Sequence, residues 1–369
     1  MSRGATPEGT KKYAAKFQGV AAEGHFREAQ GLTISSLGAG TYLGQPNENI
    51  DAGYAAALVA AVENGINVID SAINYRFQRS ERSVGTAVKV LANKGFAREE
   101  VVVCTKGGYL TPDGTMSADP NRYFFEEYIQ KGILTAKDIA GGSHCMAPKF
   151  LENQLGRSMK NLGVECVDVY YLHNPETQLS EIRKADFLSR VRDAFVFLES
   201  EAARGRIQYY GMATWNGFRQ NASAVDAMQL AEITGLAKEI AGEQHRFRFV
   251  QLPYNLAMTE ALTLGNQTVG NATKTMMEAA GELGITLVAS AALLQGQVAQ
   301  NLPAFVAEAL GLENDVERAL QFARSSPGIA TALVGMSRVA HVEANTRLVG
   351  IAPAGIEEFN KLFAQGEGA

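Results

Sequence analysis

The sequence predicts one (β/α)8 TIM barrel. Eight short apolar runs are spread along the chain, amphipathic segments separate them, and no Pro/Ser-rich linker breaks the series. The runs are almost continuous in Val, Ile, Leu and aromatic residues rather than alternating, as parallel strands are when both faces are buried. Strand then helix, repeated in one unbroken series, is the pattern of a closed parallel barrel. A chain of 369 residues is long enough for one such barrel.

Residues 1–24 begin MSRGATPEGTKKYAAKFQG, which has no apolar stretch of the secretory kind; they are expected as an N-terminal extension, surface-lying or poorly ordered. The barrel domain is expected to fill residues 25–369. It opens with HFREAQGLTIS, two short segments around Gln30-Gly31 that suit a hairpin turn. Strand candidates follow at 34–44, 66–72, 101–107, 167–173, 207–214, 247–255, 285–291 and 331–336. In 80–92, Val84, Ala87, Val88 and Leu91 form a helical stripe, with Ser80 as N-cap and Glu81 in the first turn. Leu151, Leu155, Met159 and Leu162 repeat the stripe in 148–163. Leu188, Val191, Phe195 and Leu198 do so in 186–205, where Gly205 is the stop signal. The third strand is followed by a long insertion, residues 109–147, which would emerge on the C-terminal face. Such a loop either shapes substrate access or, through Tyr123, Phe124, Phe125 and Tyr128, joins subunits into a homo-oligomer.

A net charge of −5 gives no reason to expect nucleic acid or an anionic membrane as partner. No apolar stretch is long enough to span a bilayer. Cys104, Cys145 and Cys166 are too few and too scattered for a disulfide framework and read as reduced thiols of a cytoplasmic protein. His144-Cys145 alone is too little for a metal site, and none is expected. GAGTYLG is not a dinucleotide-binding GxGxxG, because no helix or acidic partner follows at the required place; Gly40, Thr41 and Tyr42 are expected to line the barrel mouth instead.

The chemistry gathers at strand ends. Asp70 ends the second strand and Tyr75 lies just beyond it; Lys106 ends the third and His173 the fourth. In a barrel these ends meet at one mouth. A phenol titrates near pH ~10 and is a poor acid unless a nearby cation stabilises the phenolate. Lys106, kept charged by Asp70, supplies that cation, and His173 is placed to hydrogen-bond a substrate oxygen. Together they can protonate a carbonyl from one side while hydride arrives from the other. Each of the four alone has an ordinary structural explanation; their convergence is the signal.

These residues resemble the aldo-keto reductase superfamily. The matching segments are FREAQGLTISSLGAGTY, NVIDSAINY with SERSVGTAV, VVVCTKGG, VDVYYLHNP, VQLPYN, LLQGQ and LVGMSRVAHVEAN, spread over about residues 26–349. The six-residue step from Tyr75 to Glu81 is similar to the branch with potassium-channel β subunits and bacterial oxidoreductases. The resemblance implies a catalytic tetrad of Asp70, Tyr75, Lys106 and His173 and a bound NADP(H). It implies that Gln251 holds the nicotinamide carboxamide, with Gly40, Thr41, Asp70 and Thr214 nearby. Leu293, Gln295 and Gly296 would cover the pyrophosphate, and Gly335, Ser337, Arg338, His341 and Asn345 would form the adenosine-phosphate site. A serine and an arginine at a helix start also make physical sense as an anion site, and Arg338 favours NADP over NAD.

The chain departs from the family pattern in places. Ala213-Thr214 replaces the usual Ser-Asn pair, Ser290 stands where an aromatic residue stacks under the nicotinamide, and Ala344 precedes Asn345 in place of an acid. Trp215 or Tyr254 is left to supply the missing ring. Tyr42 replaces a frequent Trp, so Tyr42, Tyr75, His173 and Trp215 are expected at the substrate. The reading is an NADPH-dependent oxidoreductase acting on a small carbonyl or sugar. The alternatives are an NADP-binding regulatory subunit with little turnover, or a redox-neutral sugar epimerase or dehydratase.

Overall fold

The computed structural model describes residues 3–364. All eight expected strands form: β1 (Leu37–Gly40), β2 (Val68–Asp70), β3 (Val102–Gly107), β4 (Val167–His173), β5 (Ile207–Ala213), β6 (Phe247–Pro253), β7 (Thr286–Ser290) and β8 (Ile329–Gly335). They pair in parallel in sequence order, with β8 against β1, and close a barrel. The outer helices are α1 (Glu48–Glu63), α2 (Arg79–Asn93), α3 (Pro148–Leu162), α4 (Lys184–Ala203), α5 (Leu230–Ala241), α6 (Met276–Leu283), α7 (Asp315–Ser325) and α8 (Val339–Thr346). Val84, Ala87 and Leu91 of α2 are buried against the barrel, as their spacing predicts. Burying each large apolar side chain of this kind is worth about 1.5–3 kcal/mol.

Side-chain caps start several helices. Asn47 accepts from the Ile50 amide at α1, and Thr275 with Glu278 forms a reciprocal box at α6. The start of α2 differs from expectation. Ser80 lies inside the helix, buried, and donates to the Thr41 carbonyl at 2.8 Å. The residue ahead of the helix is Gln78, left-handed at φ 71° and without a side-chain cap. Three consecutive non-glycine residues, Arg76, Phe77 and Gln78, have positive φ, and their turn sets where α2 begins.

Inside the barrel, Val68, Val102, Cys104, Val169, Tyr171, Phe249, Val288 and Leu333 pack together. The expected hairpin, Phe26–Ala29 paired with Leu32–Ser35, turns at Gln30 (φ 51°) and Gly31 (φ 81°). Its Leu32 and Ile34 join that interior cluster and close the N-terminal end.

The N-terminal extension departs from a surface-lying or disordered segment. Pro7–Ala15 is a helix whose cap, Thr6, accepts from the Gly9 amide at 2.9 Å. Tyr13 is fully buried, donates to the Val62 carbonyl at 2.6 Å, and packs with Phe17 and Phe26. Ahead of it, the Ala5 amide donates to Asp168 at 2.7 Å. Tyr13 in the helix and Phe17 just past its end supply the apolar surface that docks the segment.

The insertion carries a small core of its own. Leu110, Tyr128, Leu134 and Cys145 pack on Phe150 of α3, and the Tyr128 hydroxyl donates to the Thr111 carbonyl at 3.0 Å. Tyr128 therefore serves its own chain, while Phe125 stays exposed. Among the described residues no helix is long and apolar enough to cross a membrane.

Candidate active site

The C-terminal strand ends surround a cleft of about 550 Å3. Asp70 arrives from β2, Lys106 from β3 and His173 from β4, and the turn after β2 swings Tyr75 back over them. The Lys106 ammonium is fully buried, 2.5 Å from Asp70 Oδ2 and 2.8 Å from the Ser71 carbonyl. It lies 4.9 Å from the centre of the Tyr75 ring. The Tyr75 and His173 rings meet edge to face at 5.7 Å. The four expected catalytic side chains are thus brought into one cluster.

Burial pulls the Lys106 ammonium down, but Asp70 and the Tyr75 phenol outweigh it and its net direction is up, so it stays a cation. For Tyr75, burial raises the phenol, Lys106 draws it back and Asp70 adds an upward push; the net direction is up. The cation therefore offsets the cost of ionising a buried phenol rather than bringing it below its ordinary value. Burial, with Lys106 and His144 behind it, holds His173 well below the usual histidine range, so this imidazole is neutral at pH 7.

Asp70 uses its second oxygen too: Gln251 of β6 donates to Oδ1 at 2.8 Å. Beside it, the Thr214 hydroxyl at the end of β5 is buried and has no hydrogen-bond partner among the described residues. Gly40, Thr41, Thr214, Gln251, Ser290, Leu293, Gln295, Gly296 and Gly335 all line the cleft. In the loop after β7, Ala291 (φ 53°), Leu294 (φ 43°) and Gln295 (φ 54°) are left-handed, a concentration of backbone strain typical of a ligand-clamping segment. Ser337, Arg338, His341 and Asn345 lie beyond this cleft, at the start and along α8. Arg338 and His341 are exposed there, while Asn345 is buried. An orphan hydroxyl, a strained loop and an exposed guanidinium at a helix start fit an elongated anionic cofactor.

The missing ring is not Tyr254. It is fully buried, stacks on Phe322 at 5.3 Å and shares a 2.8 Å hydrogen bond with Ser326. Trp215 lines the cleft and is 42% exposed, which leaves it free to meet a ligand. Tyr42 is exposed at the rim, its ring 4.9 Å from that of Tyr75.

Sequence reasoning missed Asn74, Tyr109 and Asn174, which also line the cleft. Asn74 Oδ1 lies 3.1 Å from His173 Nδ1. Tyr109 stands edge-on to His173 at 5.2 Å and receives a hydrogen bond from Asn174 at 3.2 Å. The available signal was adjacency: each sits within three residues of a tetrad member. His144, discounted as a metal ligand, instead holds the His173 carbonyl at 2.7 Å and contacts Gln178. Glu176, also missed, accepts from the Trp215 and Asn216 amides at 2.6 and 3.0 Å and so sets the loop that carries Trp215.

A closed parallel barrel thus gathers an acid, a phenol, an ammonium and an imidazole at its C-terminal strand ends, beside a loop with several left-handed residues. Residues 36–364 match the model of the aldo/keto reductase family, and the chain belongs to that family. Among curated proteins it is 27% identical to an NADH-specific methylglyoxal reductase of Escherichia coli, over 49% of each chain. It is 28% identical to a putative voltage-gated potassium channel subunit beta of Schizosaccharomyces pombe, over 52% of this chain and 45% of that one. An aldo-keto reductase of the same yeast, labelled for NADP(+), is 26% identical over 43% of this chain and 35% of its own. The chain thus spans half or less of the length of these relatives. Its fold is similar to that of a Bacillus halodurans aldo-keto reductase in holo form (TM-score 0.62, 18% identity, 93% of this chain and 97% of that one). It is also similar to a Klebsiella pneumoniae aldo/keto reductase in complex with NADP and acetate (TM-score 0.61, 16% identity, 93% and 95%).

Proposed function

We propose that the protein is an NADP(H)-dependent oxidoreductase that reduces an aldehyde or ketone, or oxidises the corresponding alcohol. The observation that carries this reading is the Tyr75 phenol set between the Lys106 cation and the His173 ring at the floor of an open cleft. When bound, the cofactor supplies or accepts a hydride at the substrate carbon. Tyr75 gives its proton to the carbonyl oxygen, and Lys106 with Asp70 stabilises the phenolate that remains. Gln251 and Thr214 would hold the carboxamide, Leu293, Gln295 and Gly296 the pyrophosphate, and Ser337, Arg338, His341 and Asn345 the adenosine phosphate. Two relatives are labelled for different cofactors, one for NADH and one for NADP(+). The exposed Arg338 guanidinium at the start of α8 supports NADP. Three buried free thiols support a reducing, cytoplasmic setting.

The deciding experiment follows NADPH absorbance with an aldehyde panel. Tyr75→Phe is expected to lower kcat by about 10^2-fold or more while NADPH binding, followed by fluorescence, persists. Equal turnover by the variant would remove Tyr75 as the acid. A second reading rests on Ser290, Ala291 and Ala292, which line the cleft without an aromatic ring among them. Loose control of the nicotinamide suits a cofactor-binding regulatory subunit; tight NADPH binding with no turnover on any carbonyl would favour it.

A further inference from the structure

The insertion after β3 closes on itself beside His173. Tyr109 near its start and His144 near its end bridge antiparallel, and the Cys145 amide donates to the Gly108 carbonyl at 2.7 Å. The Tyr109 ring stands edge-on to both imidazoles, 5.1 Å from His144 and 5.2 Å from His173.

A chain of donors runs into this point from the outer layer of the barrel. Arg190 of α4 donates to Gln178 Oε1 at 2.8 Å, and a guanidinium can only donate. The Gln178 amide nitrogen is therefore the atom that faces His144 Nδ1, at 3.1 Å. Nδ1 accepts, so the neutral ring carries its proton on Nε2 and donates it to the His173 carbonyl at 2.7 Å. Burial, with the Arg190 charge behind it, lowers His144 to about 4 and keeps that ring neutral. The same guanidinium donates to the Lys137 carbonyl at 2.8 Å, so one side chain ties the insertion and the relay together.

The insertion reaches the phenol as well. In the turn after Tyr75, the Phe77 carbonyl accepts from the Gly114 amide at 2.8 Å. Gln78, buried, donates from Nε2 to the Pro112 carbonyl at 3.0 Å. Both residues are left-handed (φ 59° and 71°), a conformation that non-glycine residues keep only where the surroundings hold them. Part of that hold comes from the insertion.

We propose that residues 109–147 are a positioning device for proton transfer, gripping the turn of Tyr75 on one side and the His173 peptide on the other, with Arg190 as the positioning residue that locks the second grip from the outer helix. The proposal rests on the reductase reading above.

The test is Arg190→Met in the full chain, which keeps an apolar stem and removes every donor. With NADPH and the best aldehyde of the panel, kcat is expected to fall about tenfold or more, while NADPH affinity by fluorescence stays within about twofold. NADPH deuterated at the transferred position should show a larger isotope effect on kcat, because the chemical step slows. Arg190→Lys, which restores a donor to Gln178, should return kcat to within about threefold of the parent. Gln78→Leu at the other grip should give the same split between kcat and cofactor affinity. In Arg190→Met, amide hydrogen exchange should speed about tenfold or more in peptides covering 137–145 and 173–178. Faster exchange with unchanged kcat, or a loss of NADPH affinity that matches the loss of kcat, would overturn the positioning role. A parent chain that turns over no aldehyde would remove the reductase reading; exchange unaltered by Arg190→Met would remove the grip itself.

Discussion

At the scale of single residues, the proposed role of Tyr75 as proton donor is best judged by pH. Burial and Asp70 lift the Tyr75 phenol above its ordinary value despite Lys106, so the acid form persists through neutrality. The kcat/KM for reduction is expected to stay flat across neutral pH and to fall only above about pH 10. A limb centred near pH 6.5 would point to a histidine acid instead. Arg338 gives a second residue-scale test. Arg338→Ala should raise KM for NADPH about tenfold or more and leave KM for NADH nearly unchanged, because only the former carries the extra phosphate. The clustering of Asp70, Tyr75, Lys106 and His173 was legible in the sequence because each ends, or closely follows, a strongly apolar run. Asn74, Tyr109 and Asn174 were not, because nothing in an isolated Asn or Tyr states which way its loop turns. Tyr254 was misplaced for the same reason: its ring turns into the core against Phe322.

Among elements, the insertion is the one whose form could not be read in advance. Its hydrophobic spacing has no regular period, and its core forms only against Phe150 of α3. Tyr128 is the anchor, fully buried beneath the Arg157 guanidinium, 5.4 Å from its ring. Tyr128→Ala should cost about 3 kcal/mol or more of local stability. Limited proteolysis should then cut within residues 109–147 faster than in the parent chain, with kcat/KM lowered because Tyr109 and His144 brace His173. Unchanged proteolysis would show that the anchor lies elsewhere. The barrel strands, in contrast, were all recognisable, since a strand buried on both faces announces itself by composition alone. The start of α2 was not, because three successive left-handed residues leave no signature in side-chain type.

For the whole molecule, acid is the expected weakness. His25 bridges the Gly65 carbonyl and Ser36, His144 bridges the His173 carbonyl and Gln178, and burial lowers both to about 4. The unfolded chain takes up these protons near pH ~6.5 and the folded one not until about pH 4, so stability falls as pH drops through that window. Each contributes up to roughly 3 kcal/mol to the loss. Urea midpoints should drop steeply between pH 6.5 and 4.5, and His25→Gln should flatten the slope; a pH-independent midpoint would exclude this account. The docked N-terminal helix went unforeseen because a nine-residue helix is too short to declare itself without the surface it rests on. One bond joins these scales. β2 and β6 stand opposite each other in the eight-strand ring, so the Asp70–Gln251 contact is a strut across its full width. It gauges the girth of the mouth, and a reactant descending from above meets a floor whose height two distant stretches of chain fix together.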